Sequence, residues 1–226
     1  MIPTLPNLRY EKKFVAEGFT LAEVLAMVQR HPSAFREAYP SRTVNNIYLD
    51  SPTRRDYHDH INGAANRSKT RVRWYGRQST LPERSILERK LKSGMMSGKQ
   101  AHPLPPLSIN AASLRSSLMA AFNEAALPPL WHSALRHLEP CLLNRYRRHY
   151  FQSLNGRFRL TVDSELQYAG ITHHRRLAIS YAPAASTAVI ELKFEPQYAP
   201  EADFVTNTLH FRLARFSKYV TGIERT

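Results

Sequence analysis

Six short segments set Lys, Arg, Asp or Glu at every second residue. They are Arg9-x-Glu11-x-Lys13, Lys69-x-Arg71-x-Arg73, Glu88-x-Lys90-x-Lys92, Tyr146-x-Arg148, Arg159-x-Thr161-x-Asp163 and Glu191-x-Lys193-x-Glu195. Guanidinium forks and ammonium groups gathered in this way suit the oxygens of phosphate. Glu11, Glu88, Asp163 and Glu191 lie among those bases, and a hard Mg²⁺ or Mn²⁺ is held by one or two carboxylates together with substrate phosphates. Glu191 is the first candidate as metal ligand, with Glu11, Glu88 and Asp163 behind it. For each carboxylate taken singly, simple charge balance is an equally good account.

The spacing implies the elements. Side chains alternate between faces along a β-strand, so each segment shows its charges on one face. Val72, Trp74, Leu87, Leu91, Phe158, Leu160, Val162, Ile190, Leu192 and Phe194 then lie on the other. One solvated face is ordinary for any single antiparallel strand. Summed over the segments, however, ten basic residues (Arg9, Lys13, Lys69, Arg71, Arg73, Lys90, Lys92, Arg148, Arg159 and Lys193) face five acidic ones (Glu11, Glu88, Asp163, Glu191 and Glu195). Like charges opposed across strands destabilise a sheet, so such a face calls for an anion to fill it.

The chain has 226 residues, 42% of them hydrophobic, which is enough for one core and predicts a single domain over 1–226. Its formal charge of +14 points to an acidic partner: nucleic acid, an anionic membrane surface or a polyphosphorylated small molecule. The single cysteine, Cys141, excludes an internal disulfide and a multi-cysteine zinc site. Without a leader-like start or a run of about 20 apolar residues, the expected location is the cytoplasm.

Thr20-x-x-Glu23 has capping-box spacing and predicts a helix over 20–30. Strands are expected at 45–50, 69–75, 86–92, 143–152, 157–168 and 187–195, with a turn at Gln78–Glu83 and a hairpin at Asn155-Gly156. The Pro-rich stretch His102–Leu107 reads as a surface connection. Helices are expected at 111–126 and 130–138, and a last one from Pro200 to about Val220 with Gly222 as its stop. The fold class is therefore α+β: an antiparallel β-barrel with a charged lumen and helices packed outside.

Other motifs carry less. Gly94-Met95-Met96-Ser97-Gly98-Lys99 misses the phosphate-loop spacing and lacks its Ser/Thr, leaving Lys99 as a loop lysine able to point at an anion. His58-x-His60 and His173-His174 do not have zinc-site spacing. There is no Gly-x-Ser-x-Gly, and nothing marks Ser217 as a nucleophile. A nucleic-acid-binding reading has the charge and the interleaved Trp74, Tyr75, Tyr146 and Tyr150 in its favour. Carboxylates on the basic face oppose it, and no nucleic acid is expected as partner.

The ordered set of motifs resembles the VTC domain, the polyphosphate polymerase branch of the triphosphate tunnel metalloenzymes, also called CYTH-like. It runs from Arg9 to Gly222 through Arg9–Phe14, Asn46–Asp50, Lys69–Gly76, Leu87–Lys90, Tyr146–Phe151, Phe158–Asp163, Ile190–Lys193 and Phe216–Tyr219. The resemblance implies phosphate binding by Lys13, Arg71, Arg73, Lys90, Arg148 and Arg159, a metal on Glu191 and a tunnel-end lysine at Lys218, with Lys99 a weaker match. Lys69 and Lys193 join them from the charged face. Arg9 stands where the sister group has a glutamate, which favours the VTC branch. The implied reaction is Mn²⁺- or Mg²⁺-dependent transfer of the ATP γ-phosphoryl group to a growing polyphosphate. In that scheme Arg71, Arg73, Arg148 and Arg159 clamp the phosphates, while Lys13 and Lys90 serve the transferring group. Water as acceptor, and polyphosphate binding without turnover, are the open alternatives. The family's SPX domain and membrane spans are missing from this sequence, so regulation and membrane coupling are expected from a partner protein.

Overall fold

A computed structural model describes residues 9–76, 82–94, 96–110, 113–171, 177–178 and 187–226. The expected turn at 78–83 lies mostly outside the described residues, as do His173-His174 and the start of the chain.

Ten strands form one antiparallel sheet. They are β1 (Tyr10–Ala16), β2 (Arg36–Asp50), β3 (Asn66–Tyr75), β4 (Ser85–Ser93), β5 (Met96–Leu104), β6 (Glu139–Gln152), β7 (Phe158–Ile171), β8 (Leu177–Ala178), β9 (Ala188–Phe194) and β10 (Arg212–Leu213). The spatial order is β10, β1, β9, β7, β6, β2, β3, β4, β5, with β8 beside β7. The expectation of a closed barrel is not met. The sheet curls until its ends meet, but among the described residues the only backbone hydrogen bonding between those ends is an antiparallel bridge of Arg9 with Ser97. The reason lies in β1, whose outer edge is already occupied at Phe14 and Val15 by Leu213 and Arg212 of β10.

Two apolar clusters cover the outside of the curl, where the alternation places them. In α1 (Leu21–Gln29) and α5 (Ala199–Thr208), Val24, Val28, Ala202 and Val205 pack on Phe14, Phe158, Leu160, Val162, Ile190, Leu192 and Phe194. In α3 (Leu114–Glu124) and α4 (Pro129–Leu135), Leu114, Leu118, Phe122, Trp131 and Leu135 cover Ile47, Leu49, Val72, Trp74 and Leu87. The α1 capping box forms as its sequence predicts: Thr20 Oγ1 accepts from the Glu23 amide at 3.3 Å, and the Glu23 carboxylate accepts from the Thr20 amide at 2.7 Å.

The segment Arg55–Ile61 forms a further helix, α2. Three local expectations are corrected. Lys99 and Pro103 belong to the strand β5, where proline is tolerated because β5 is an edge. The long last helix is two helices, α5 and α6 (Lys218–Arg225), separated by β10, and α6 starts at Ser217, whose side chain accepts from the Val220 amide at 3.4 Å. Gly222 does not stop a helix; it lies within α6.

Helix α6 is also inside the curl rather than outside it. Tyr219 packs with Tyr48, Tyr146, Leu142, Tyr168 and Val189 in a third cluster on the inner face of the sheet. A Cβ on Gly222 would fall into the Leu142 side chain and 2.7 Å from Cδ1 of Tyr168. Glycine is thus needed for close approach rather than for a turn. Gly222→Val is expected to cost roughly 2 kcal/mol or more by overpacking, read as a lower denaturant midpoint at unchanged slope.

Candidate functional site

The inward charges meet their opposites through strand register. Lys13 lies opposite Glu191, Glu11 opposite Lys193, Arg71 opposite Glu88 and Arg148 opposite Asp163. Opposed unlike charges of this kind each favour the pairing by some 0.2–1 kcal/mol.

Glu191 is the hub, 6% exposed. Lys193 Nζ lies 3.1 Å from its carboxylate, Lys218 Nζ 3.5 Å, Arg148 Nη2 3.6 Å and Lys13 Nζ 3.7 Å. Lys13 is shared with Glu11 at 3.3 Å, and Glu11 also takes Lys90 at 2.8 Å. Asp163, fully buried, holds Nε and Nη2 of Arg148 at 2.5 and 2.6 Å and Lys218 Nζ at 2.5 Å. Across the interior, Glu88 holds Arg71 Nη2 at 2.6 Å and Nε at 2.9 Å, Lys99 at 3.0 Å and Arg73 Nη1 at 3.6 Å. Tyr146 joins the halves: its hydroxyl accepts from Arg73 Nη2 at 3.2 Å, and its ring carries Lys218 4.9 Å and Arg148 5.2 Å from the centroid.

Three arginines are therefore pre-oriented. Arg71 and Arg148 have Nε and Nη2 tied to a carboxylate, and Arg73 has Nε on Asn46 Oδ1 at 2.8 Å and Nη2 on Tyr146. The fixed forks cost little further ordering when an anion arrives. The Thr161 hydroxyl, in register with Glu191 and Tyr150, is buried without a hydrogen-bond partner among the described residues.

Burial opposes charge on all of these groups, and the neighbours decide the outcome. For Glu11, Lys90, Lys13 and Lys193 outweigh desolvation and hold the carboxyl well below the usual range; Arg71, Arg73 and Lys99 do the same for Glu88. Lys13 is raised, because Glu11 and Glu191 overcome its burial. Lys90 is brought down to about 8 by burial and by Lys13 and Lys193, against the pull of Glu11.

Lys69 differs from these lysines in having no carboxylate within ion-pair distance among the described residues. Its ammonium donates to Ser217 Oγ at 2.5 Å and lies 3.1 Å from His60 Nδ1. Burial, then Lys13, Lys90 and Arg67, lower its pKa to about 6, and burial and Lys69 lower that of His60 to about 3. Arg159 stands apart from the inner network, at the rim, in a cavity of about 210 Å³ with Arg9, Asn155, Arg157, Lys193 and Tyr198.

All the candidate residues except Arg159 and Lys69 thus fall into two ion networks joined by Tyr146. Residues absent from the candidate set also act here. Asp50, at the end of β2, accepts from the amides of Asp56 at 3.0 Å and Tyr57 at 3.1 Å and from the Tyr219 hydroxyl, tying α2 and α6 together. Ser217, His60, Asn46 and the Tyr146 phenol are the others. Tyr146 had a signal in its two-residue spacing from Arg148, while Asn46, Asp50 and Ser217 fell in stretches that carry the family resemblance without a role of their own.

A family model described as the VTC domain matches residues 8–226. The chain belongs to the VTC domain family. Three solved structures share its fold. One is a candidate adenylyl cyclase from Hippeastrum described as revealing a dominant triphosphatase activity, with TM-score 0.54, 12% identity, and coverage of 96% of this chain and 95% of that one. Another is a candidate adenylate cyclase from Vibrio parahaemolyticus, with TM-score 0.53, 11% identity and coverage of 94% and 97%. The third, the PH1819 protein of Pyrococcus horikoshii OT3, has TM-score 0.52, 13% identity and coverage of 96% and 99%. No curated protein matches the chain. In this VTC domain no described helix is long and apolar enough to cross a membrane.

Lys69 supplies a pH test of the site's electrostatics. Its folded pKa lies below its unfolded one, so protonated Lys69 penalises the fold fully below about pH 6, and the penalty fades as pH rises toward the unfolded value. Lys69→Met is expected to stabilise the VTC domain more at pH 5 than at pH 9, measured as the shift in urea midpoint at each pH.

Proposed function

We propose that this VTC domain transfers the γ-phosphoryl group of ATP to the end of a growing polyphosphate held inside the curled sheet. The observation that carries this reading is the unbalanced interior. Lys13, Arg71, Arg73, Lys90, Lys99, Arg148, Lys193 and Lys218 pair there with Glu11, Glu88, Asp163 and Glu191, and Lys69 lies beside them with no carboxylate within ion-pair distance among the described residues. A desolvated excess of basic groups, which lowers Lys69 to about 6, is relieved by a polyanion.

The chain's own groups have distinct parts in this reaction. The N–H groups that Arg71 and Arg148 keep beyond Glu88 and Asp163, with Arg73 adding its charge beside them, bind nonbridging oxygens along the substrate. Lys13 and Lys90, which share Glu11, neutralise the transferring group, and Lys218 and Lys193 hold the phosphates near Glu191. A terminal phosphate oxygen of the acceptor attacks the γ-phosphorus, the bond to the β–γ bridging oxygen breaks and ADP leaves, so no protein nucleophile is required. The basic rim cavity with Arg9, Arg157 and Arg159 gives the lengthening chain a path outward.

The residues fit a divalent ion in one place. The Lys13 ammonium already occupies a cationic position between Glu11 and Glu191, and Mn²⁺ or Mg²⁺ there would have those two carboxylates as protein ligands. Among the described residues no set of three or more His, Cys, Asp or Glu side chains could hold it alone, so substrate oxygens would complete its shell. Bound there, the ion would neutralise charge on the phosphates in flight. Asp163 and Glu88 are fully engaged in fixing arginines and suit that positioning work better than metal binding.

Two placements weaken the nucleic-acid alternative. Trp74 is in the outer core and Tyr146 is in the inner wall, so neither can stack on a base.

Incubation with γ-labelled ATP and Mn²⁺, with products resolved on a gel, tests the proposal. A polyphosphate ladder is expected, reduced by about 100-fold or more in Arg71→Ala and in Glu191→Ala. Labelled free phosphate alone would reassign the site to triphosphate hydrolysis. No metal-dependent turnover would leave only polyphosphate binding.

A further inference from the structure

Two residues beyond Arg73 and Arg148, on the same faces of β3 and β6, stand Tyr75 and Tyr150. Arg42 of β2 lies between them. Its guanidinium carbon is 5.6 Å from the ring centroid of Tyr39, 5.7 Å from that of Tyr150 and 5.9 Å from that of Tyr75. Tyr39 also meets Tyr150 edge-on, with centroids 6.0 Å apart. In a regular strand Tyr39 and Arg42 would point to opposite faces, since they are three positions apart. Strand β2 is irregular on both sides of Tyr39, with register shifts between Glu37 and Tyr39 and between Tyr39 and Arg42. These irregularities turn the ring and the guanidinium to one side. None of these four residues belongs to an apolar core, and Tyr39 and Tyr75 are 58% and 44% exposed. Because Arg42 is the register partner of Arg148, the group borders the phosphate-facing forks.

We propose that Tyr39, Tyr75, Tyr150 and Arg42 form a docking platform for the base of a nucleoside triphosphate whose phosphates lie inward, at Arg73 and Arg148. The proposal rests on the phosphoryl-donor reading above and assigns the part of the donor which that reading leaves unplaced. One strand repeat, about 7 Å, separates platform from forks, so a single extended ligand can engage both. The exposed tyrosine faces stack a flat heterocycle, and the guanidinium adds a cation–π contact and hydrogen-bond donors. Stacking is tolerant of base identity, so the platform distinguishes a nucleotide from a bare phosphate chain rather than adenine from guanine. The donor, and the nucleoside diphosphate it leaves behind, are thereby held at the rim by a group that polyphosphate lacks.

The test uses Tyr39→Leu, Tyr75→Leu and the double variant, which keep an apolar side chain at exposed positions. Calorimetric binding of ATP and of inorganic tripolyphosphate is measured with Mg²⁺ on the full chain. ATP affinity is expected to fall about fivefold or more for each ring removed, while tripolyphosphate affinity stays within about twofold. Equal weakening of both ligands, or of neither, overturns the platform and leaves the donor reading standing. Wild-type protein that binds neither ligand overturns both. Tight binding of a single-stranded oligonucleotide that is lost in the same variants would give the platform to nucleic acid and likewise overturn the proposal.

Discussion

Asp163 is the charge around which the interior is arranged. It is fully buried, yet it stays ionised because Arg148 chelates it with two nitrogens and Lys218 closes from the side. Desolvating an ion costs several kcal/mol, and only contacts this short, in this number, offset it. Arg148 and Lys218 are then free to meet Glu191 with their remaining reach, and through Lys13 the chain of contacts continues to Glu11 and Lys90. Because Lys218 opens α6, the same carboxylate also anchors that helix within the curl. One buried anion thus serves the sheet, the helix and the inward-facing cations together.

The inverted polarity of the sheet follows from that arrangement. A sheet whose concave side is ionic can bury apolar area only on its convex side, and the two outer clusters with α1, α5, α3 and α4 do this. Their hydrophobic burial drives folding without depending on the ionic interior. Charges inside can therefore be arranged for ligand binding at some cost in local stability, as the depressed Lys69 and Lys90 show.

Alternating charge was legible in the sequence because period-2 patterning maps directly onto strand faces, and it brought out Lys13, Arg71, Arg73, Lys90, Arg148, Glu88, Asp163 and Glu191. The capping box at Thr20 was legible for a similar reason, since its signal is local. What the sequence hid depends on long-range geometry. The open seam arises from competition between β5 and β10 for one edge of β1. Gly222 looks like a helix stop in one dimension, but in three it is the point where α6 presses on Leu142 and Tyr168. Ser217 lies in the Phe216–Tyr219 stretch, but its meeting with Lys69 arises only because α6 enters the interior. Tyr39 and Arg42 share a face only through irregular pairing, which no alternation rule anticipates.

The seam has a mechanical meaning. Arg9 and Ser97 exchange two backbone hydrogen bonds, both of 3.3 Å, and these alone link the backbones of the described margins of the sheet there. A net contribution of about 1 kcal/mol for each such bond is small beside a full ladder. The wall is therefore a clasp more than a hoop: its girth can widen along one line while both outer cores stay packed. Under the function proposed above, a polyphosphate of varying hydration would meet a sleeve that stretches on one side and stays stiff on the other.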